Sequence, residues 1–211
     1  MPAAYQEYFK GAEEVLASHR GWDPGALVIA REVSASLGVP LNATEITRLL
    51  VEPNRSLGSP SLFSDFTASL PEREREEILD LYYFPYRNSI ESAVANFGQA
   101  HHISIHTFTQ YWDGEERKVD IGLLFDPGRP SEVALCESLL TQLQVRLPAM
   151  RIVFNEPYQG IDDGFTTYLR TIFPDERYAG IEVEINQKYN GDQQLAAISG
   201  ALAGALKELG Y

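Results

Sequence analysis

The sequence contains almost no cysteine and fewer basic than acidic side chains. Only one of its 211 residues, Cys136, is a cysteine, which excludes an intrachain disulfide and fits a reducing compartment. Lysine and arginine number 17 against 30 aspartates and glutamates, giving a net charge of -13. Such a charge repels the phosphate backbone of nucleic acids, so we expect no nucleic-acid partner. Cys136 falls in a helical pattern, where we expect a buried and unreactive thiol.

Long apolar runs are also missing. No run approaches the roughly 18 residues that suggest a membrane-spanning helix, and the first residues lack a signal-peptide pattern. We therefore expect a cytoplasmic protein without a membrane partner. The hydrophobic fraction of 44% and the charged fraction of 22% are typical of a globular protein with a buried core. With no repeat or linker in the sequence, we expect one domain over residues 1–211.

Strand and helix patterns alternate along the chain. The predicted strands are 46–51, 103–106, 119–125, 151–154 and 179–185. The predicted helices are 5–18, 24–37, 71–84, 87–97, 132–146, 164–172 and 193–209. This alternation favours a single α/β domain with a mixed, mostly parallel sheet and helices on both faces, as in phosphorylase- and hydrolase-like folds.

The segment Ile103-Ser-Ile-His106-Thr-Phe-Thr-Gln-Tyr-Trp-Asp-Gly114 is central to the functional prediction. Its first half is typical of a strand entering the core, and His106 lies where that strand is predicted to end. An imidazole at that edge of the sheet is a candidate metal ligand or acid–base group. The alternative is an ordinary hydrogen-bonded histidine. Asp23, which precedes Pro24, also has two alternative roles: it is either the N-cap of a helix or a site residue.

Polar side chains lie at or just past the ends of several predicted strands. They are Asn54 with Arg55, His106, Asn155 with Tyr158, and Glu182 with Glu184. Such a set suits metal-assisted amide hydrolysis, in which a histidine binds Zn²⁺, a carboxylate takes a proton from the bound water, and an arginine holds a substrate carboxylate. Structural roles are the alternative: Arg55 in a surface ion pair and Asn54 in a turn.

Strand alternation limits which of these side chains can meet. Of the adjacent His101 and His102, only one can share a face with His106, and we interpret it as a core histidine. We also expect one of Glu182 and Glu184 to face away from the other.

Five segments resemble the N-formylglutamate amidohydrolase family, in the same order and over nearly the whole chain. They are Arg48-Leu-Leu-Val-Glu-Pro-Asn-Arg55, His106-Thr-Phe-Thr-Gln110, Asp120-Ile-Gly-Leu-Leu124, Asn155-Glu-Pro-Tyr158 and Gly180-Ile-Glu-Val-Glu-Ile-Asn-Gln187. That family is similar in fold and active-site plan to the zinc carboxypeptidases. The resemblance implies zinc-dependent hydrolysis of an N-formyl amino acid such as N-formylglutamate, releasing formate and the amino acid.

The resemblance also implies roles for individual residues. His106 is implied as a zinc ligand. The second ligand is unresolved, and Asp23 is a candidate for it because its predicted helix start can approach the edge of the sheet. Asn54 and Arg55 are implied as a clamp on the substrate carboxylate. The remaining implied roles are substrate binding for Asn155 and Tyr158, general base for Glu184, and alternative base for Glu182.

Two departures from the family pattern bear on activity. Glu52 stands where the family more often has aspartate. The family's first strand, with a Ser-Cys-Glu-His-Ala-like motif and an early metal ligand, has no counterpart, because Met1 aligns just after it and His19 does not match it. We therefore expect a chain truncated at its start relative to the family, through a mis-assigned start or a degenerate gene. Weak zinc binding, poor hydrolysis and a strand edge open to homodimer formation are expected to follow.

Two other functions remain alternatives. One is a vestigial, catalytically impaired homologue that binds carboxylates. The other is a carboxypeptidase- or deacylase-like hydrolase that acts on a different acyl group.

Overall fold

The computed structural model describes the whole chain, Met1–Tyr211. Its α-helices are α1 Glu13–Ala17, α2 Ala26–Leu37, α3 Glu72–Ile78, α4 Phe84–Asn96, α5 Pro130–Arg146, α6 Phe165–Ile172 and α7 Asp192–Glu208. Its strands are β1 Ala100–Phe108, β2 Tyr111–Trp112, β3 Glu115–Glu116, β4 Ile121–Leu124, β5 Ile152–Phe154 and β6 Tyr178–Asn186. Short 3₁₀ helices occupy Ala3–Phe9 and Gln187–Tyr189, and a π-helical turn, Leu79–Tyr83, joins α3 to α4.

The main sheet has four strands in the order β1-β6-β4-β5. Strands β1 and β6 are parallel, as are β4 and β5, whereas β4 and β6 are antiparallel. Strands β2 and β3 form a separate antiparallel hairpin that follows β1. The predicted α/β fold with a mixed, mostly parallel sheet is confirmed, and β1 lies at its edge with a partner on one side only.

The two faces of β6 pack against different hydrophobic clusters. Alternate residues of β6 pack with α2, α5 and α7 in the main core: Ala179, Ile181, Val183 and Ile185. On the opposite face, α4 and α6 pack together in a smaller cluster that includes Phe165 and Tyr178. The polar residues of β6, namely Glu182, Glu184 and Asn186, alternate with the apolar ones and are buried as well. Charge is therefore buried along one face of the central strand.

The predicted strand at 46–51 is wrong, because this segment folds into turns. Its apolar residues Leu49, Leu50 and Val51 are buried in a second cluster together with the first helical segments and the π-helical turn. Hydroxyl groups donate hydrogen bonds to the carbonyls that a neighbouring strand would otherwise satisfy. Ser64 Oγ donates to the carbonyl of Leu49 at 2.5 Å, and Thr67 Oγ1 donates to that of Leu50 at 3.0 Å. A short apolar run before a proline does not by itself distinguish a strand from a buried turn.

Two helix predictions also differ in detail from the structure. The segment 5–18 is divided at Gly11, which has a φ of 79° that a helix cannot accommodate. Pro85 was expected to break or kink the helix between 71–84 and 87–97; it does not break it, because the π-helical turn directly before it accommodates the missing N–H, and α4 continues to Asn96. No helix in the molecule combines the length and the apolar character needed to cross a membrane.

Candidate active site

A buried ion-pair cluster lies between β1 and the start of α2. Asp23 accepts a hydrogen bond from His106 through Oδ2, at 2.9 Å from Nδ1, and binds the Arg48 guanidinium through Oδ1, also at 2.9 Å. The second acidic partner of Arg48 is Glu52, with Nε 3.0 Å from Oε2. Asp23 does not cap α2, because the N-cap position is Gly25 and has no side-chain hydrogen bond. The helix-cap interpretation of Asp23 is therefore wrong.

This cluster holds Asp23 and His106 in their charged forms. Burial alone would lower the pKa of His106, but the hydrogen bond and charge of Asp23 outweigh it and raise the pKa to about 9. Burial would likewise raise the pKa of Asp23, yet His106 and Arg48 hold it below its usual value. At neutral pH, His106 is therefore an imidazolium paired with a carboxylate, and Arg48 adds a second fixed positive charge.

A second histidine on the same strand face has a different environment. His102 precedes His106 by four residues and shares its face, as strand alternation requires, whereas His101 stacks edge-on against Tyr211 with ring centroids 5.0 Å apart. The Nδ1 atom of His102 lies 2.9 Å from the hydroxyl of Tyr178. Burial lowers the pKa of His102 to about 4. This agrees with its interpretation as a core histidine.

Two buried glutamates lie next to these histidines in β6. Glu184 is in register with His106, and Glu182 with Ser104. Both face the same side of the sheet, so the expectation that one would face away is wrong: residues two apart in a strand point in the same direction. Glu182 accepts a hydrogen bond from Thr166 Oγ1 at 2.7 Å, but Oε2 of Glu184 is buried without any partner. Burial raises the pKa of Glu184 to about 7, which the neighbouring cations only partly oppose.

A cavity of about 510 Å³ opens beside the cluster along the outer side of β1. Of the predicted site residues, Asp23, Asn54 and His106 line it, together with Arg48, Glu52, His102 and Ser104. Glu182 and Glu184 lie one strand further in and are not part of its wall, and Arg55, Asn155 and Tyr158 do not line it either. The volume is that of a small-molecule site. The structure thus brings one part of the predicted set to a single cavity.

Asn54 and Arg55 connect two loops near this cavity. Oδ1 of Asn54 accepts a hydrogen bond from the backbone N–H of Phe165 at 2.7 Å, and Nη1 of Arg55 donates to the carbonyl of Asp163 at 2.5 Å. Gly164, between these two partners, lies against β6, where a Cβ would come within 3.2 Å of Glu182 Oε1. Arg55 forms no ion pair, in contrast to the structural alternative considered for it, and its charge remains uncompensated.

Asn155 and Tyr158 lie in the loop after β5. Oδ1 of Asn155 accepts hydrogen bonds from the backbone N–H groups of Phe125 and Gly160, at 3.0 and 3.1 Å, which shapes this loop. The Tyr158 hydroxyl accepts a hydrogen bond from Nη1 of Arg117 at 3.1 Å. Tyr158 is exposed outside the cavity, whereas the side-chain oxygen of Asn155 is already engaged.

The residues of the cluster do not fit a zinc ion in the arrangement they adopt. No three His, Cys, Asp or Glu side chains are grouped so as to hold a metal ion. Asp23 gives one oxygen to Arg48 and the other to His106, whose Nε2 lies 3.0 Å from Ser104 Oγ. Hydrolytic zinc sites generally have three protein ligands and a water. Zinc therefore stays a prediction of the resemblance.

Sequence reasoning assigned no role to Arg48, although it begins the first of the five resembling segments. Its ion pair with Glu52 has no sequence signal in a predicted strand, where residues four apart lie about 13 Å from each other. Its bond to Asp23 has no sequence signal, because a contact between two loops leaves no periodic pattern. Ser104, two residues before His106 on the same strand face, was identifiable from strand alternation.

Fold and site together describe an α/β protein in which a histidine–aspartate pair and Arg48 line one small cavity, with two buried glutamates one strand further in. A family model for N-formylglutamate amidohydrolase matches residues 1–189. The chain belongs to the N-formylglutamate amidohydrolase family, as the five segments predicted.

Solved structures are similar over most of the chain. A gene product of Agrobacterium tumefaciens superposes with a TM-score of 0.84 at 27% identity, covering 100% of this chain and 87% of the other. The N-formylglutamate amidohydrolase of Ralstonia eutropha JMP134 superposes with a TM-score of 0.67 at 18% identity, covering 87% of this chain and 80% of the other. At that identity the second match concerns the fold alone. No curated protein shows significant sequence similarity to the chain.

Proposed function

We propose that this protein hydrolyses the amide bond of an N-formyl amino acid, with N-formylglutamate as the substrate that the family suggests. The observation that carries the proposal is Glu184, a buried carboxylate with one oxygen free of any hydrogen bond, in register with His106. Because burial raises its pKa to about 7, it exchanges a proton readily at neutral pH. A general base works best when its pKa is close to the working pH.

Positive charges beside the cavity supply the second requirement of amide hydrolysis. The attack of water on a formamide carbon places negative charge on the carbonyl oxygen, and fixed cations stabilise that charge most effectively where water is excluded. Arg48 and the imidazolium of His106 line the cavity, and both are held in place by Asp23. The substrate carboxylate is assigned to Asn54 and Arg55, since Arg55 carries a positive charge without an acidic partner.

In the proposed reaction Glu184 takes a proton from the attacking water as a bond forms between the water oxygen and the formyl carbon. The tetrahedral oxyanion develops facing Arg48 and His106. Collapse breaks the carbon–nitrogen bond, and Glu184 returns the proton to the leaving amine. The products are formate and the free amino acid.

The test is release of formate from N-formylglutamate by the wild-type chain and by three variants. Glu184→Gln keeps the size of the side chain but cannot accept the proton, so we expect kcat to fall about 10²- to 10⁴-fold. Glu182→Gln should have a much smaller effect, because Glu182 is already hydrogen-bonded to Thr166. Glu137→Gln, on the exposed surface of α5, is the matched control and should change nothing.

The outcomes separate the candidate functions. Loss of activity in Glu182→Gln but not in Glu184→Gln would exchange the roles of the two glutamates. Tight binding of N-formylglutamate without release of formate would favour the carboxylate-binding alternative, in which Arg48 only neutralises Asp23 and Glu52. Turnover of longer N-acyl amino acids in preference to the formyl compound would identify a deacylase.

A further inference from the structure

One buried arginine has no part in the proposed reaction. Arg87 lies in α4 with only 4% of its surface exposed, and it forms no ion pair. Aromatic rings surround its guanidinium instead: the Cζ atom lies 4.1 Å from the ring centroid of Phe165, 4.5 Å from that of Tyr168 and 4.8 Å from that of Tyr83. These distances are within the range of cation–π attraction. Because arginine is rarely buried without a charged partner, this position indicates a specific role.

The hydrogen bonds of Arg87 go to one backbone segment beside the cavity. Its Nη1 atom donates to the carbonyl of Pro53 at 3.0 Å and to that of Arg55 at 3.3 Å. The Tyr83 hydroxyl donates to the same carbonyl of Arg55 at 2.7 Å. These two carbonyls come immediately before and after Asn54 in the chain. The backbone is therefore held on both sides of Asn54.

The side chain of Asn54 is held as well. Its Oδ1 atom accepts the hydrogen bond from the backbone N–H of Phe165 at 2.7 Å, and the ring of Phe165 packs against Arg87. With the oxygen engaged, the amide nitrogen of Asn54 still has its two N–H donors. Asn54 and Phe165 line the cavity, whereas Arg87 does not. The cavity wall thus contains an oriented donor of the kind that binds a carboxylate.

We propose that Arg87 is a positioning residue for substrate binding, which fixes the backbone on both sides of Asn54 so that the amide of Asn54 is preorganised for the substrate carboxylate. The inference rests on the proposed function, which assigns that carboxylate to Asn54 and Arg55. A donor already held in its binding orientation loses little conformational entropy when the ligand arrives, and binding is strengthened accordingly. Because Arg87 does not line the cavity, its effect should pass through Asn54.

A double-mutant cycle tests this dependence. The kinetics of formate release from N-formylglutamate are measured for the wild type, Arg87→Met, Asn54→Ala and the double variant. Arg87→Met should raise KM by roughly 10- to 100-fold, because a misplacement of about 1 Å can cost as much, and it should change kcat little. The double variant should have the same KM as Asn54→Ala, since no amide is left for Arg87 to position.

Two further variants separate positioning from charge and from general stability. Arg87→Lys keeps the positive charge but lacks the planar guanidinium, so its KM should lie between those of the wild type and Arg87→Met. It also replaces Arg87→Met in the cycle if circular dichroism shows that Arg87→Met is unfolded. The matched control is Arg177→Met, which removes an exposed arginine that likewise donates to two backbone carbonyls, those of Ala95 and Phe97. It should leave kcat and KM unchanged.

Hydrogen exchange provides a second measurement that does not depend on turnover. The N–H of Phe165 is protected by Oδ1 of Asn54, so Asn54→Ala and Arg87→Met should each accelerate its exchange by roughly 10-fold. The double variant should exchange no faster than Asn54→Ala.

The proposal is overturned if the effects of Arg87→Met and Asn54→Ala on KM multiply, if Arg87→Met lowers kcat at an unchanged KM, or if Arg87→Lys equals the wild type. An unchanged exchange rate of the Phe165 amide in Arg87→Met would overturn it as well. The proposed function fails separately, through an absence of formate release from the wild-type chain, and the exchange measurement then still decides whether Arg87 positions Asn54.

Discussion

The two ends of β1 carry histidines four residues apart on the same face, and their environments give them opposite properties. His102 lies among aromatic residues, with Tyr178 as its hydrogen-bond partner and the ring of Phe165 at 6.4 Å. His106 lies against Asp23. Burial lowers the pKa of His102 to about 4, whereas Asp23 raises that of His106 to about 9.

The comparison shows that exposure and residue type do not determine what a strand histidine does. Both imidazoles are partly buried, and both belong to the same parallel pair of strands. The neighbouring groups determine the charge of each imidazole, because aromatic surroundings favour the neutral form and an adjacent carboxylate favours the imidazolium. One strand therefore supplies both a packing residue and a charged site residue.

Removing the acidic partner should have the largest effect. Asp23→Asn leaves Arg48 and His106 without their shared carboxylate, and breaking a buried ion pair typically costs about 3–5 kcal/mol. We expect a loss of that order in the free energy of unfolding, measured with urea, and a fall in the pKa of His106 toward that of His102, measured by NMR. The control is Glu45→Gln, which breaks the exposed Arg31–Glu45 pair and should cost no more than about 1 kcal/mol. An unchanged pKa of His106 would contradict the assigned role of Asp23.

The pH dependence of stability should separate the two histidines. His106 has its pKa raised from 6.5 to about 9, so its contribution is fully present below pH 6.5 and is lost as the pH rises through 9. His102 has its pKa lowered to about 4, so its contribution is present above pH 6.5 and is lost as the pH falls through 4. Urea unfolding from pH 4 to 10 should show a weaker alkaline decline in His106→Gln and a weaker acid decline in His102→Gln. His19→Gln, outside this strand, should reproduce both declines of the wild type; a single curve for all variants would refute the contrast.

A smaller effect is expected at the aromatic end of the strand. Tyr178→Phe removes the 2.9 Å hydrogen bond to His102 and should cost about 1 kcal/mol in the free energy of unfolding. Formate release should not change, because neither residue takes part in the proposed reaction. Tyr111→Phe, at an exposed position in β2, is the control and should alter neither quantity. A large loss of formate release in Tyr178→Phe would mean that both ends of β1 contribute to catalysis.

Zinc should have the smallest effect. Because Arg48 and His106 occupy both oxygens of Asp23, we expect 0.1 mM Zn²⁺ to add less than about 1 kcal/mol to the stability of this chain. Arg48→Met frees one of these oxygens and should strengthen zinc binding at the His106 end. Elemental analysis and thermal unfolding measure both effects. One tightly bound zinc per wild-type chain would show that the cluster rearranges around the metal.

Local patterns predicted most of the fold. Alternating apolar residues identified β1, β4 and β6, and the amphipathic repeats identified α5 and α7 within one or two residues. The segment 46–51 was misassigned because its strand-like composition serves a buried turn. There, hydroxyls of Ser64 and Thr67 satisfy the backbone, a contact that the periodicity of the segment does not contain.

The candidate site was predictable only where its residues belong to regular structure. His106, Glu182 and Glu184 follow from strand positions, although the two glutamates were first assigned to opposite faces in error. Asp23 was a candidate site residue, but its ion pairs were not predictable, because its partner His106 is 83 residues away and the N-cap pattern offered a local explanation. The role of Arg48 was not predictable either, because the loop that carries it adopts turns whose path depends on the rest of the fold.

The edge position of β1 has a consequence for hydrogen exchange. The N–H of Ala100 donates to Arg177 across the β1–β6 pair, so by alternation the amides of His102, Ser104 and His106 also point toward β6. The amides of Ile103 and Ile105 point outward, where β1 has no neighbouring strand. In deuterated solvent the odd-numbered amides should therefore exchange rapidly and the even-numbered ones slowly. This alternation gives a residue-by-residue measure of whether a ligand or an added strand occupies the outer side of β1.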